Sequence, residues 1–300
     1  MSAQLSCSVI IATLDRVESL QVVVRCLARQ TRPPAEVIIA VAGDSRAVTG
    51  ADPGNCPFPL RFISCAEKSS ARQRNAAAQT ATGEVLAFLD DDIEFDELLF
   101  ERLLGEFERR DGTEPGALSP RFSQMDRTPP GRIVRLYYAL QAGYFHADYG
   151  GRLFGCGINC YPVFGPASPP LVPAEWLPAT CLFIRADLFR RHRFPEFAGY
   201  SFAEDVHLTA RCAREAPLFF ARDSTIVHHS LPSEFKTDRS GLTAGKLHNM
   251  AVVAREVLGR RGWPLWWRWQ LHRCFLSAVL LARRPPGWRD EWRGVWRAQR

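Results

Sequence analysis

Apolar residues in the first third of the chain alternate between two rhythms. Ser8-Val-Ile-Ile-Ala-Thr13 is a continuous, largely β-branched run of strand length, and residues 16–30 then carry apolar side chains at helical spacing. Strand, turn and helix in that order open a parallel sheet. Glu36-Val-Ile-Ile-Ala-Val41 repeats the buried-strand run, a loop rich in Gly, Pro, Asn and Asp occupies 43–59, and 60–64 form a third strand. A helix over 69–80, closed by Gly83, leads to a fourth strand, Glu84-Val-Leu-Ala-Phe-Leu89, which runs directly into Asp90-Asp91-Asp92. Residues 1–110 thus read β-α-β-loop-β-α-β-α.

Residues 112–175 are less regular, with Pro-rich patches at 129–130 and 166–173 around an aromatic stretch at 136–145. Excursions of this length usually carry function or cover a site. Regular patterning resumes with a strand at 180–184, a short helix at 186–191, a helix over 206–215 and a strand at 225–228. From Gly241 onward the spacing is helical, and Trp288, Trp292 and Trp296 recur every four residues. That interval puts the three indoles on one helix stripe with an Arg beside each.

Composition narrows the class without naming a function. With 46% hydrophobic, 23% charged residues and 21 Gly and 21 Pro dispersed through 300 positions, the chain is neither disordered, collagenous nor a coiled coil. The net charge of +6 is local: residues 260–300 hold ten Arg against Asp290 and Glu291, a surplus of +8, so the rest of the chain sums to −2. Seven of the eight Trp lie in the same stretch. Trp and Arg interleaved this densely suit an anionic membrane surface, with a packed appendage as the alternative and nucleic acid the least favoured partner. The longest charge-free apolar stretch there, 274–282, has nine residues against the roughly 20 that cross a bilayer. Residues 5–14 lack the basic start and cleavage site of a signal peptide, and nine Cys, an odd number without a C-x-x-C pair, point to a reducing cytoplasm. Zinc is not expected at Cys156 and Cys160, which lack a second ligand pair. His146, His192, His207, His248 and His272 occur singly and are expected as core or surface residues.

Candidate chemistry concentrates at Asp90, Asp91 and Asp92. Open α/β sheets place ligands at the carboxyl ends of their strands, and adjacent carboxylates suit a hard divalent cation that completes its shell with substrate phosphates. Taken alone, the trio could equally be a solvated strand end. The wider pattern resembles family 2 glycosyltransferases. It is carried by the strand 8–13 with Asp15-Arg16, the strand 36–41 leading to Asp44, Ala71-Arg-Gln-Arg-Asn75, and Gly83-Glu-Val-Leu-Ala-Phe-Leu-Asp-Asp-Asp92. Cys181-Leu-Phe-Ile-Arg185, Phe202-Ala-Glu-Asp205 and Thr225-Ile-Val-His-His229 extend the resemblance, so that it covers about 1–110 and 176–232.

The resemblance implies an α/β GT-A fold, the nucleotide-diphospho-sugar transferase fold, with a mixed, mainly parallel central sheet and a helical C-terminal appendage. A catalytic domain would span 1–240, with a donor-binding half at 1–110 and an acceptor-side half at 111–240, followed by a basic, Trp-rich tail at 241–300. Thr13, Asp15 and Asp44 would line the nucleotide, Arg72 or Arg74 and Asn75 would sit beside base or ribose, and Asp90 and Asp91 would contact the donor. Mg2+ or Mn2+ would be held by Asp92, Asp90 and His228, with His229 as the substitute for His228. Asp205 would be the base that takes the acceptor's proton in an inverting, metal-dependent transfer, although an Asp before a helix is also a common N-cap. The expected partners are a nucleotide-sugar donor, a glycan or lipid-linked acceptor and an anionic membrane, with the enzyme cytoplasmic and peripheral on the inner face. A noncatalytic nucleotide- or sugar-binding module on the same fold is the alternative.

Overall fold

The structure is a computed structural model that describes residues 4–52, 54–109, 112, 114–123, 128–197, 202–230 and 237–298. Arg110 at the end of the donor-binding half and Arg300 of the basic surplus therefore lie outside the described residues. The first four strands appear where the apolar runs place them: β1 (Cys7–Thr13), β2 (Glu36–Ala42), β3 (Leu60–Cys65) and β4 (Val85–Asp90), paired in parallel in the order β3-β2-β1-β4. Every residue of β2 is buried and β1 is nearly so, as expected of parallel strands covered on both faces. Helices α1 (Val17–Ala28) and α2 (Ser70–Thr80) connect them.

Beyond β4 the sheet continues with mixed strand direction. The strands there are β5 (Ile93–Phe95), β6 (Ala117–Phe122), β9 (Leu171–Ala174), β10 (Cys181–Arg185) and β11 (Leu218–His228), while β7 (Leu153–Phe154) and β8 (Ile158–Asn159) form a separate hairpin. β10 is antiparallel to both β4 and β6, β11 is parallel to β6, and β5 and β9 pair antiparallel with β11. The helices are α3 (Leu99–Phe107), α4 (Arg132–Ala142), α5 (Ala186–His192), α6 (Glu204–Cys212), α7 (Arg239–Glu256), α8 (Gly262–Arg283) and α9 (Trp288–Arg297). Side-chain alternation splits the core: Val9 and Ile11 face α1 and α3, whereas Ile10 faces α2, α5 and α6. A third apolar cluster joins α4, α7, α8 and α9, and a fourth joins α6 to α7.

Several segments differ from the sequence reading. The loop at 43–59 contains a 3-10 helix, Ser45–Ala51. β5, β6 and β9 fall in stretches that the sequence pattern does not mark as strands, because β5 has only three residues, six-residue β6 is broken by Pro120 and four-residue β9 by Pro173, leaving too little periodicity to be seen. Gly83 does not close α2, which ends at Thr80 with an extended Ala81 as its C-cap. Its role is close approach, since a Cβ there would lie 2.5 Å from the Ser8 nitrogen. The surrounding bonds fix this crossing: Gly83 N donates to Ser8 Oγ at 2.8 Å, and Ser8 Oγ donates to Glu36 Oε1 at 2.8 Å. Gly83→Ala is expected to destabilise the fold by about 1–3 kcal/mol through overpacking against backbone. Urea denaturation checks this, and a loss under about 0.5 kcal/mol would show that the crossing relaxes freely.

Candidate active site

The strand end of β4 meets the end of β11 because β5 pairs antiparallel with β11 and sets His228 opposite Ile93. That register brings His228 Nε2 to 3.1 Å from Asp92 Oδ1 and 4.0 Å from Asp90 Oδ2. One ligand atom each from Asp90, Asp92 and His228 lies within 4.8 Å of the others. Octahedral Mg2+ or Mn2+ with bonds of about 2.1 Å spaces neighbouring ligand atoms about 3 Å apart and opposite ones about 4 Å. The donor set and its spacing fit such an ion. His229 is directed elsewhere: its backbone N donates to Asp92 O at 2.9 Å and its ring meets Glu94 at 2.9 Å.

Asp91 points back under β1. Thr13 Oγ1 donates to Asp91 Oδ2 at 2.6 Å, and Arg16 Nη1 reaches Asp91 Oδ1 at 3.1 Å and Asp92 Oδ2 at 3.4 Å. Burial pushes the Asp91 carboxyl up to about 6, although Thr13 and Arg16 both pull it down. Arg16 occupies the N-cap of α1 without a capping bond from its side chain, a position that favours Ser, Thr, Asp or Asn. Local helix stability is given up there for a cation between two carboxylates. Gln73 ties the same turn to the sheet, its amide donating to Thr13 O at 2.6 Å and to Ala40 O at 2.7 Å.

The other side of the site is built on α6. Ala203 is its N-cap in the left-handed region, at φ 65°, so Asp205 is not the cap but stands in the first helical turn beside Glu204. A residue with a Cβ adopts that conformation at a cost, here offset by α7, whose Asn249 Nδ2 donates to Phe202 O at 2.9 Å and whose Lys246 lies 4.4 Å from the Phe202 ring centroid. Asp205 accepts from Val206 N at 2.8 Å and Ala179 N at 3.4 Å. The residue after Ala179 holds Asp90, since Asp90 N donates to Thr180 O at 3.0 Å. One dipeptide therefore spaces the two carboxylates. Buried Arg74 spans the same gap, with Nη2 2.6 Å from Asp90 Oδ1 and Nη1 3.3 Å from Glu204 Oε1. Burial raises both the Glu204 and Asp205 carboxyls above the ordinary carboxylate range, and the Arg74 guanidinium opposes that rise.

The remaining sequence candidates separate. Asp15 and Asp44 are exposed on the turns after β1 and β2. Arg72 is exposed and pairs with Glu67 and, at 3.1 Å, with Glu196. Asn75 is buried and bonds the backbone of Phe194 in both directions, at 2.9 and 3.1 Å. Of the two Arg on α2, Arg74 joins the acidic cluster and Arg72 does not. Arg16, Gln73 and Glu204 belong to the site although the sequence reading assigned them no role. An Arg at a helix start and a second carboxylate beside Asp205 were the signals available.

The sequence profile of Glycosyl transferase family 2 matches residues 8–159, just over half of the 300-residue chain. The chain belongs to glycosyl transferase family 2. Comparison with curated protein sequences gives no match. Among solved structures, this family 2 glycosyltransferase is similar to S. aureus TarS residues 1–349, at 16% identity and TM-score 0.55 over 94% of this chain and 74% of that one. The mannosyltransferase PcManGT from Pyrobaculum calidifontis, solved with GDP-Man and Mn2+, gives 15% identity and TM-score 0.55 over 94% of this chain and 76% of its own. GalNAc-T7, solved with UDP, GalNAc and Mn2+, gives 14% identity and TM-score 0.58 over 84% of this chain but 48% of its own. At these identities the likeness establishes the GT-A fold of this glycosyltransferase.

Proposed function

We propose that this glycosyltransferase moves a sugar, with inversion, from a nucleotide-diphosphate sugar to a hydroxyl of a glycan, lipid-linked or other acceptor, and that the reaction depends on Mg2+ or Mn2+. The observation that carries the reading is the pairing of a metal-competent Asp90–Asp92–His228 cluster with Asp205 across the Ala179–Thr180 dipeptide and Arg74. Asp92, Asp90 and His228 hold the ion, which when bound supplies Lewis-acid stabilisation of the leaving diphosphate. Thr13, Asp15 and Asp44 line the nucleotide, and Asp90 and Asp91 complete the donor contacts. Arg72 and Asn75 shape that side through the 194–196 segment both bind.

Asp205 accepts the acceptor's proton as the hydroxyl oxygen bonds to the anomeric carbon. The bond from that carbon to the diphosphate breaks on the opposite face and its electron pair leaves with the nucleotide diphosphate. One displacement inverts the configuration. Among the described residues no helix is long and apolar enough to cross a membrane, and we place the enzyme in the cytoplasm, in peripheral contact with an anionic inner membrane surface through its basic end.

A panel of nucleotide sugars, assayed for release of nucleotide diphosphate with Mn2+ or Mg2+ and again with chelator, tests the reading. At least one donor should be turned over, and chelation should remove nearly all of that turnover. Donor binding without release under every condition would favour the noncatalytic module, and release indifferent to chelator would refute the metal assignment.

A further inference from the structure

The reaction leaves one large surface without a role, formed by α4 and α8. The two helices are packed together: Tyr137 stacks on Phe275 with ring centroids 3.8 Å apart, Gln141 Nε2 donates to Arg268 O at 2.8 Å, and Arg268 Nε donates to Gln141 O at 2.7 Å. Tyr137 also hydrogen-bonds with His272. Beside that seam each helix turns an uncharged apolar stripe to solvent. On α4, Ile133, Leu136 and Leu140 follow at i, i+3 and i+7 and are 79%, 59% and 44% exposed, and the stripe runs on into Tyr144 and Phe145, the latter 71% exposed. On α8, Trp263, Trp267, Cys274 and Leu281 are all exposed, and at 3.6 residues per turn they fall within about 40° of one another. Folded monomers rarely present contiguous apolar surface of this kind without a partner.

Charge identifies the partner. Residues 128–147 and 257–289 contain no Asp or Glu but nine Arg. Exposed Arg260 and Arg261 stand at the start of α8, Arg283 and Arg284 at its end, and Arg132 at the start of α4. We infer that the joined outer faces of α4 and α8 dock on an anionic lipid bilayer, the apolar stripes entering the headgroup region and the bordering Arg meeting lipid phosphates. Trp favours that depth, Arg is drawn to anionic headgroups, and apolar area adds to the electrostatic attraction. A second copy of the chain is a poorer occupant, because facing the same surface to itself would bring the Arg sets together with no acid between them. This inference rests on the membrane contact proposed above and sharpens it. The contact is not confined to the C-terminal tail, since α4 belongs to the stretch that matches the family profile.

Co-sedimentation of the full chain with vesicles of phosphatidylglycerol and phosphatidylcholine, and of phosphatidylcholine alone, provides the test. Wild type should bind only the anionic vesicles, and the triple variant Ile133→Ser, Leu136→Ser, Leu140→Ser should bind them at least about tenfold more weakly. Its melting temperature should match wild type, because the three side chains are exposed. Trp263→Ser with Trp267→Ser should weaken binding comparably. No binding by wild type would defeat both the membrane contact and this inference. Binding lost in the Trp variant but kept in the α4 variant would leave the tail contact standing and overturn the role of α4. Self-association in solution that the α4 variant abolishes, without vesicle binding, would assign the face to a second copy instead.

Discussion

Asp205→Asn is expected to lower kcat by about 10²–10⁴-fold, the usual contribution of a positioned general base, while nucleotide-sugar affinity stays near wild type. The amide is isosteric and keeps its one oxygen for the shorter bond from Val206 N at 2.8 Å, giving up only the 3.4 Å bond that Ala179 N makes to the other oxygen, so the loss should come from the missing proton acceptor and not from a collapsed helix start. Wild-type activity carries a matching pH signature. Burial raises the Asp205 carboxyl, and the base works only when ionised, so activity rises as pH climbs through that raised value. The acid limb should therefore lie above the ordinary Asp value of about 3.9. Single-turnover assays of the variant, with donor binding measured by calorimetry, check the first expectation, and a kcat–pH profile checks the second. Full turnover by Asp205→Asn, or an acid limb at the ordinary value, would remove the base from this residue.

Arg74→Met should cost the fold about 2–4 kcal/mol, because it leaves Asp90 and Glu204 facing each other without their shared cation. The lower part of that range allows for the partial solvent exposure of Asp90, whose side chain is 26% exposed against 9% for Glu204. The deficit should also depend on pH. Glu204 is already raised by burial in the folded chain, and Arg74 is what holds it down. Without Arg74 its folded value moves higher still above the unfolded one, so the folded state binds the extra proton and stability falls as pH rises. Burial raises wild-type Glu204 to about 8, so denaturation of both proteins should show the gap widening as pH rises past about 8, where wild-type Glu204 ionises and the variant's does not. A constant gap would mean that Glu204 is not the group left uncompensated.

Strands β1, β2 and β4 were legible in the sequence because they are long apolar runs buried on both faces, a signal that survives without tertiary information. The same holds for the acidic cluster Asp90 to Asp92, which stands at the end of such a strand. What the sequence did not carry was cross-chain register. The choice of His228 over His229 depends on β5, three residues long and hidden after the acidic run. The central strand β6 was hidden by Pro120. For Asp205 the sequence offered the base and, as the alternative, a helix cap, and the left-handed Ala203 shows that the helix starts earlier. Arg16, Gln73 and Arg74 are polar residues whose partners lie up to 130 positions away, and no local pattern announces such pairings.

The joint between α6 and α7 has a consequence for how such chains can be built. Besides the Asn249 bond, His207 Nε2 meets Glu256 Oε2 at 2.9 Å, the Arg214 guanidinium donates to Val257 O, and Val253 and Val257 share one apolar cluster with Val206, Ala210 and Trp176. Glu256 and Val257 lie at the end of α7, next to where a shortened chain would be cut to discard α8 and α9. Such a cut removes the helices that brace α7 from the other side and so loosens the turn that carries Asp205. The basic end therefore braces from behind the turn that carries Asp205, and grafting it onto another transferase would leave that bracing behind.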